Sequence, residues 1–257
     1  MGRPFSGVAA LARAAGIGVA LTAIPSSITA QERPNGFTIG VIGGFGNDIY
    51  LGGDSDQFVL PVLRYESEAF SFGLPDGLRV SLLSREKMVL SAVVAPRLFS
   101  LVDVNATELR GIDRDITIDA GLQARFSLTD RTELVARGLV DVSGEHDGQE
   151  VTLSFRHNVP VRRMAFNFAA GATWRSGDLS AELYGVYPWE ARDDRPRYEP
   201  GATTVPFVSV GAVYPLTQNL RFIANLRAEF LPDSVSDSPI IDQNAAVGAQ
   251  FGLLYSF

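Results

Sequence analysis

The chain has 257 residues, 46% of them hydrophobic and 10% aromatic, with 25 Gly, 16 Phe, no Cys and a formal charge of −7. That apolar content can offset the entropy of ordering a backbone, which excludes intrinsic disorder, and zero Cys excludes disulfides, iron–sulfur clusters, thiolate zinc and cysteine nucleophiles. An acidic chain with one lysine (Lys87) and two histidines (His146 and His157) suits neither nucleic acid nor a three-histidine metal site.

The N-terminus comes first. Residues 1–30 carry Arg3 and Arg13, no acid, an apolar run over 16–24, and Pro25 followed by Ser26-Ser27-Ile28-Thr29-Ala30. A basic start, a short apolar stretch and small residues before the cut predict a secretory signal peptide removed after Ala30. The run is too short to cross about 30 Å of hydrocarbon as a helix, and nothing after residue 30 reads as an 18-residue apolar span. Residues 31–257 are therefore expected to form one exported domain.

That domain alternates. In residues 115–128, Ile116, Ile118, Ala120, Leu122, Ala124, Phe126 and Leu128 fall on one face, while Asp115, Thr117, Asp119, Gln123, Arg125 and Ser127 fall on the other. At 3.3 Å per residue this predicts a strand about 45 Å long, well beyond the usual globular length. The same pattern places strands, in chain order, at 37–47, 57–67, 77–84, 88–99, 115–128, 131–142, 150–160, 164–175, 179–187, 204–214, 220–230 and 245–257. Twelve strands are predicted. Residues 68–74 admit a separate strand and 106–112 are ambiguous, which leaves ten or fourteen open.

A soluble sandwich also alternates, so length, lumen and ending must discriminate. Runs of 10 to 14 residues match a tilted bilayer-spanning strand, and the polar face mixes Arg125, Glu133, Arg137 and Asp141 as a wet lumen does. The last strand alternates through Ala245, Val247, Ala249, Phe251 and Leu253 to Tyr255 and Phe257, an ending like the assembly signal of outer-membrane barrels. A closed barrel satisfies every backbone donor in lipid, which an open sheet does not. The expected fold is all-β: a transmembrane antiparallel up-and-down barrel in the outer membrane of a Gram-negative bacterium. With both termini periplasmic, residues 47–56, 188–203 and 231–244 become extracellular loops, and 75–77, 144–148 and 176–178 become short periplasmic turns. Residues 100–114 break the rule as a long periplasmic connection.

Candidate chemistry is sparse. His146, in Ser143-Gly144-Glu145-His146-Asp147-Gly148, could be a base oriented by Asp147 or Glu145, but reads better as a solvated turn residue. His157, on the apolar phase of its strand, reads as a strand-end polar residue in the membrane interface. Asp48, Asp54 and Asp56 have an oxygen-ligand spacing without the rest of a calcium loop. Trp189, Arg192, Arg195, Arg197 and Tyr198 read as a rim facing lipopolysaccharide phosphates. No catalytic, cofactor-binding or metal-binding set is predicted, and the chain is not expected to be an enzyme.

Several segments are specific enough to suggest a family. They are Ile49-Tyr50-Leu51-Gly52-Gly53-Asp54-Ser55-Asp56, Arg114-Asp115, Ser143-Gly144-Glu145-His146-Asp147-Gly148, Tyr184-Gly185-Val186, Tyr198-Glu199-Pro200-Gly201 and Asp237-Ser238-Pro239-Ile240-Ile241. Together with the terminal Phe257, these make the chain resemble the MipA/OmpV family of outer-membrane proteins. One departure is Gly52-Gly53-Asp54, where the family usually has an acidic-Gly-Ser-Asp turn. The resemblance implies a non-enzymatic barrel that scaffolds peptidoglycan (murein) synthesis and hydrolysis, holding a lytic transglycosylase and a penicillin-binding murein synthase. It also implies contact with lipid, lipopolysaccharide and the barrel assembly machinery. The competing expectation is a passive small-solute channel or a surface adhesin.

Overall fold

A computed structural model describes residues 35–53, 56–97, 107, 109–112 and 114–257; the expected signal segment 1–30 and Asp54 lie outside them. Twelve strands run as β1 (Gly36–Gly46), β2 (Asp56–Glu66), β3 (Phe70–Leu74), β4 (Gly77–Arg85), β5 (Met88–Arg97), β6 (Thr117–Thr129), β7 (Thr132–Asp141), β8 (Gln149–Val161), β9 (Met164–Arg175), β10 (Thr203–Pro215), β11 (Leu220–Phe230) and β12 (Ala245–Ser256). Each pairs antiparallel with its sequence neighbour, and β1 pairs with β12 from Thr38↔Ser256 to Gly46↔Gly248, so the barrel closes. Two helices, α1 (Gly177–Tyr184) and α2 (Asp233–Ser236), sit in the connections. No helix among the described residues is long and apolar enough to cross a membrane. The strands do the crossing.

Alternation sorts the side chains as expected. On β6, Ile118, Leu122 and Phe126 are 48%, 50% and 37% exposed, whereas Asp119 and Gln123, facing inward, are 2% and 7%. An apolar outer wall of this extent, continued by Val59, Phe155, Phe168 and Phe251, belongs against hydrocarbon rather than water. The lumen is mixed. Phe58, Leu60 and Val62 pack inward against Ile42 and Leu254 as a small apolar wall, and most of the remaining inner surface is polar.

The strand count agrees with expectation through two departures that cancel. Residues 70–74 form a strand of their own, β3, too short for its alternation to stand out among runs twice its length. Residues 179–187, expected as a strand, instead begin as helix α1. Leu179, Ala181 and Leu183 do alternate, but Ser176 caps a helix by accepting the Leu179 N–H at 3.4 Å, Asp178 sits in its first turn, and the Gly185 N–H closes it on the Ala181 carbonyl.

Between β3, which the sequence leaves open as a separate strand, and the false one, the expected twelve-strand pattern puts every connection at the wrong end. Residues 75–76, 114–116, 142–148 and 176–202 all lie at the end shared by 47–53 and 231–244. Residues 100–114 therefore break no rule, and 144–148 and 176–178 are not short turns of the opposite rim. That opposite rim holds the tight turns at 67–69, 86–87, 130–131, 162–163 and 216–219, along with the C-terminus, where the Phe257 N–H reaches the Phe37 carbonyl at 2.9 Å. The β3–β4 hairpin stops halfway up the wall: β2 pairs with β3 only over Leu63–Glu66, although it pairs with β1 along its whole length.

Candidate functional site

The long connections do not wave free above the barrel. They fold into a cap with its own core, in which Tyr50, Leu109, Tyr184, Val186, Val235 and Ile240 are buried together. Residues 47–53 pair with residues 240–242: the Leu51 N–H donates to the Ile240 carbonyl at 2.9 Å and the Asp242 N–H to the Ile49 carbonyl at 3.0 Å. The Tyr50 hydroxyl donates to the Leu183 carbonyl at 2.9 Å, and the Ser238 hydroxyl to the Tyr184 carbonyl at 2.6 Å. Burial pushes the Tyr50 phenol well above its ordinary pKa, so it stays a donor at any physiological pH.

A buried ion pair sits inside the cap. The Arg114 guanidinium grips both carboxylate oxygens of Glu190, one at 3.1 Å, donates from Nε to the Glu182 carbonyl at 2.8 Å, and lies 5.0 Å over the Tyr187 ring. Glu190 also accepts the Tyr187 N–H at 2.8 Å, and Glu182 accepts the Tyr187 hydroxyl at 2.9 Å. Burial raises the Glu182 carboxyl above the usual range, opposed by the Arg114 charge and by that hydroxyl. Arg195 completes the knot by donating to the Glu190 carbonyl at 2.7 Å. The expectation of a solvated rim fails for Arg195, which is 3% exposed. Its loop neighbours Arg197 and Trp189 are exposed as expected, Trp189 stacked on Tyr187 with centroids 4.7 Å apart.

His146 also departs from expectation. It is buried, because residues 142–148 fold inward over the barrel mouth. Asp141 organises that turn by accepting the Ser143 and His146 N–H groups at 2.8 and 2.9 Å and the Asp147 N–H at 3.1 Å. Gly144 and Asp147 take left-handed φ values of 79° and 51°. Gly148 has no room for a side chain: a Cβ there would lie 2.6 Å from the Leu179 Cβ. The Gly148 N–H donates to His146 Nδ1 at 2.9 Å, which puts the ring proton on Nε2, facing Thr117 at 3.4 Å and Asp119 at 3.6 Å. Asp119, Asp141 and His146 bring one ligand-type atom each within 4.8 Å of one another. The Asp141 carboxylate, however, is saturated by turn donors, and Arg97 holds Asp119 from Nε at 2.7 Å. Asp141 and His146 fix the turn over the wall, where Asp119 Oδ1, 3.6 Å from His146 Nε2, is buried without a hydrogen bond, and Thr117, 0% exposed, is closed to substrate.

The remaining candidates have structural roles too. Asp48 accepts the Tyr50 N–H at 2.9 Å as a turn acceptor, and Gly53 donates to the Tyr50 carbonyl at 3.1 Å. Asp237 ends α2 with its N–H on the Asp233 carbonyl at 2.8 Å, and Pro239 follows Ser238 into the cap. His157 meets Thr132 across the β7–β8 pair at 2.9 Å, near the short-turn end, as an interfacial polar residue would. Arg97, Glu150 and Arg175 form a group that sequence reasoning does not find. Arg97 and Arg175 each reach Glu150 at 3.2 Å, and Arg175 reaches the Tyr184 hydroxyl at 2.9 Å, joining wall to cap. Their shared inward phase is the available signal, but its significance depends on which strands become neighbours.

A closed twelve-stranded barrel with an apolar outer wall, a charged lumen and a cap of folded loops defines an outer-membrane β-barrel protein. The family described as "MltA-interacting protein MipA" matches residues 39–257, and the chain belongs to that family. The "Putative outer membrane protein YiaT" of Escherichia coli (strain K12) is 27% identical over 93% of this chain and 97% of its own length. The "MltA-interacting protein" of the same strain is 25% identical over 91% and 95% respectively. Among solved structures, the NanC porin superposes with a TM-score of 0.47 at 8% identity, covering 84% of this chain and 98% of the porin. The chain is an outer-membrane protein.

Proposed function

We propose that this barrel works by holding a partner rather than by a reaction, and that the partner is a lytic transglycosylase of the MltA kind, with a penicillin-binding murein synthase in the same assembly. The single observation that carries this reading is the family match across residues 39–257, whose description names the interaction. In this reading the chain is exported by a signal peptide cut after Ala30, the cap faces outward toward lipopolysaccharide and the short-turn rim faces the periplasm, the usual asymmetry of such barrels. The rim supports it physically: Arg131, Arg162 and Arg163 stand exposed on neighbouring turns, a basic patch suited to an acidic surface.

The test is a pull-down from solubilised envelope, scored for transglycosylase and penicillin-binding partners. Wild-type protein is expected to recover the transglycosylase. Combined Arg131→Glu, Arg162→Glu and Arg163→Glu changes are expected to reduce recovery severalfold without affecting folding. Recovery of no murein enzyme, together with robust single-channel conductance, overturns the reading in favour of a channel.

Tyr255 and Phe257 are assigned to assembly. They form an edge-to-face pair at 5.0 Å on the outer wall, at the end of the last strand. Phe257→Asp is expected to lower the folded, heat-modifiable fraction in outer membranes. Undiminished folded protein would reduce Phe257 to the end of a strand.

A further inference from the structure

The lumen carries more positive charge than its own acids occupy. Asp76 is held by Arg64, Asp119 and Glu150 by Arg97, Glu150 again by Arg175, and Glu229 by Arg227 at 2.8 Å. Arg221 donates to the Ser256 hydroxyl at 2.8 Å, and four inward arginines remain: Arg79, Arg125, Arg137 and Arg156. Among the described residues, no hydrogen bond or ion pair holds their guanidinium groups, and the Nε atoms of Arg79 and Arg137 are buried without a partner. These cations crowd one another, since Arg79 feels the charges of Arg125 and Arg137, and Arg156 those of Arg79 and Arg125. Acids stand nearby as well: Glu133 opposite Arg156 in the β7–β8 register, Asp76 near Arg79, and Glu150, Asp119 and Asp76 near Arg137. All except Glu133 are already held by Arg64, Arg97 or Arg175. Mutually repelling guanidinium groups in a confined site carry an electrostatic cost, and an anion beside them relieves it.

Arg137 and Arg156 border a cavity of about 160 Å³. A row of amides follows them around the wall: Asn158 pairs with Asn167, Asn167 with Gly211, Gly211 with Asn225 and Asn225 with Gln250. All of these line the same cavity, and the Asn167 side-chain oxygen is buried without a partner. Ile42, Val62 and Ile223 supply an apolar patch.

We propose that this cavity is a binding site for a small hydroxylated carboxylate, an acidic monosaccharide in chemical class. The planar guanidinium forks of Arg137 and Arg156 take the carboxylate. The amide row, with both donors and acceptors, takes the hydroxyls, and the apolar patch takes the C–H face of the ring. The cavity has room for a small solute of this class. This proposal is independent of the transglycosylase reading, because the lumen is separate from the rim that reading uses.

The experiment is calorimetric titration of the refolded full chain in detergent with glucuronate, and with glucose as the uncharged control. Saturable binding of glucuronate and none of glucose is expected. Arg137→Gln and Arg156→Gln are each expected to weaken binding about tenfold or more, the scale of losing a charged hydrogen bond. Arg197→Gln, on the exposed cap surface, is expected to leave it unchanged. Heat-modifiable migration checks that each variant is folded. Should the glutamine variants fail to fold, Arg156→Lys decides: it keeps the charge but loses the fork, and a weakened affinity is expected. No saturable heat with glucuronate, equal binding of glucose, or unchanged affinity in the folded lumen variants overturns the proposal.

Discussion

Leu122→Arg is expected to destabilise the barrel by about 2–4 kcal/mol, the cost of a charge facing hydrocarbon near the middle of the span. Gln123→Glu, one residue away, is expected to cost little, because Arg137 stands opposite it. The two positions differ only in which side of the wall they face. Leu122 is half exposed on the outer surface, while Gln123 lines the lumen cavity in register with Arg137. Urea unfolding in lipid vesicles, followed by tryptophan fluorescence, measures the contrast. Because a water-soluble sandwich would also penalise Leu122→Arg, spin labels complete the test. Labels at Ile118, Leu122 and Phe126 should be relaxed by lipid-dissolved oxygen, and labels at Thr117, Asp119 and Gln123 should not. Equal relaxation of the two sets would refute the lipid-facing assignment.

Glu190→Ala carries the other large effect. It leaves Arg114, 3% exposed, buried with its main counter-charge gone, at a cost of about 3–5 kcal/mol. The loss should be local to the cap, because the barrel wall is closed by its own ladders without it. Hydrogen exchange is the suitable probe. Amides of residues 183–198 and 231–241 are expected to lose protection while those of β6 to β9 keep theirs. An Arg114→Met, Glu190→Leu double change should recover most of the loss, because it removes both buried charges at once. Unchanged cap protection in Glu190→Ala would mean that the pair does not hold the cap together.

Strand existence is highly legible in the sequence because a barrel in lipid imposes period two on every strand and polar residues on one face. Residues 115–128 display both in their residue order alone. Function is less legible, because the family-like segments build the cap. Tyr50, His146, Gly148 and Ser238 are buried partners of backbone groups or of distant loops, and nothing in their local spacing announces those partners. His146 illustrates the difficulty: a histidine among Gly and acids looks solvated until residues 142–148 fold over the barrel mouth.

The amino-acid sequence by itself determined the fold class, the outer and inner faces, and the aromatic ending, since each is a property of neighbours along one strand. Tertiary structure alone decided which end each connection joins, because a single short strand, β3, reverses the direction of every strand after it until the false strand at α1 restores it. It also decided which charges meet. Arg97, Glu150 and Arg175 lie far apart in sequence, and Arg114 is 76 residues from Glu190. Ion pairs form across the lumen and between loops, where distance depends on closure and register rather than on the spacing of residues along the chain.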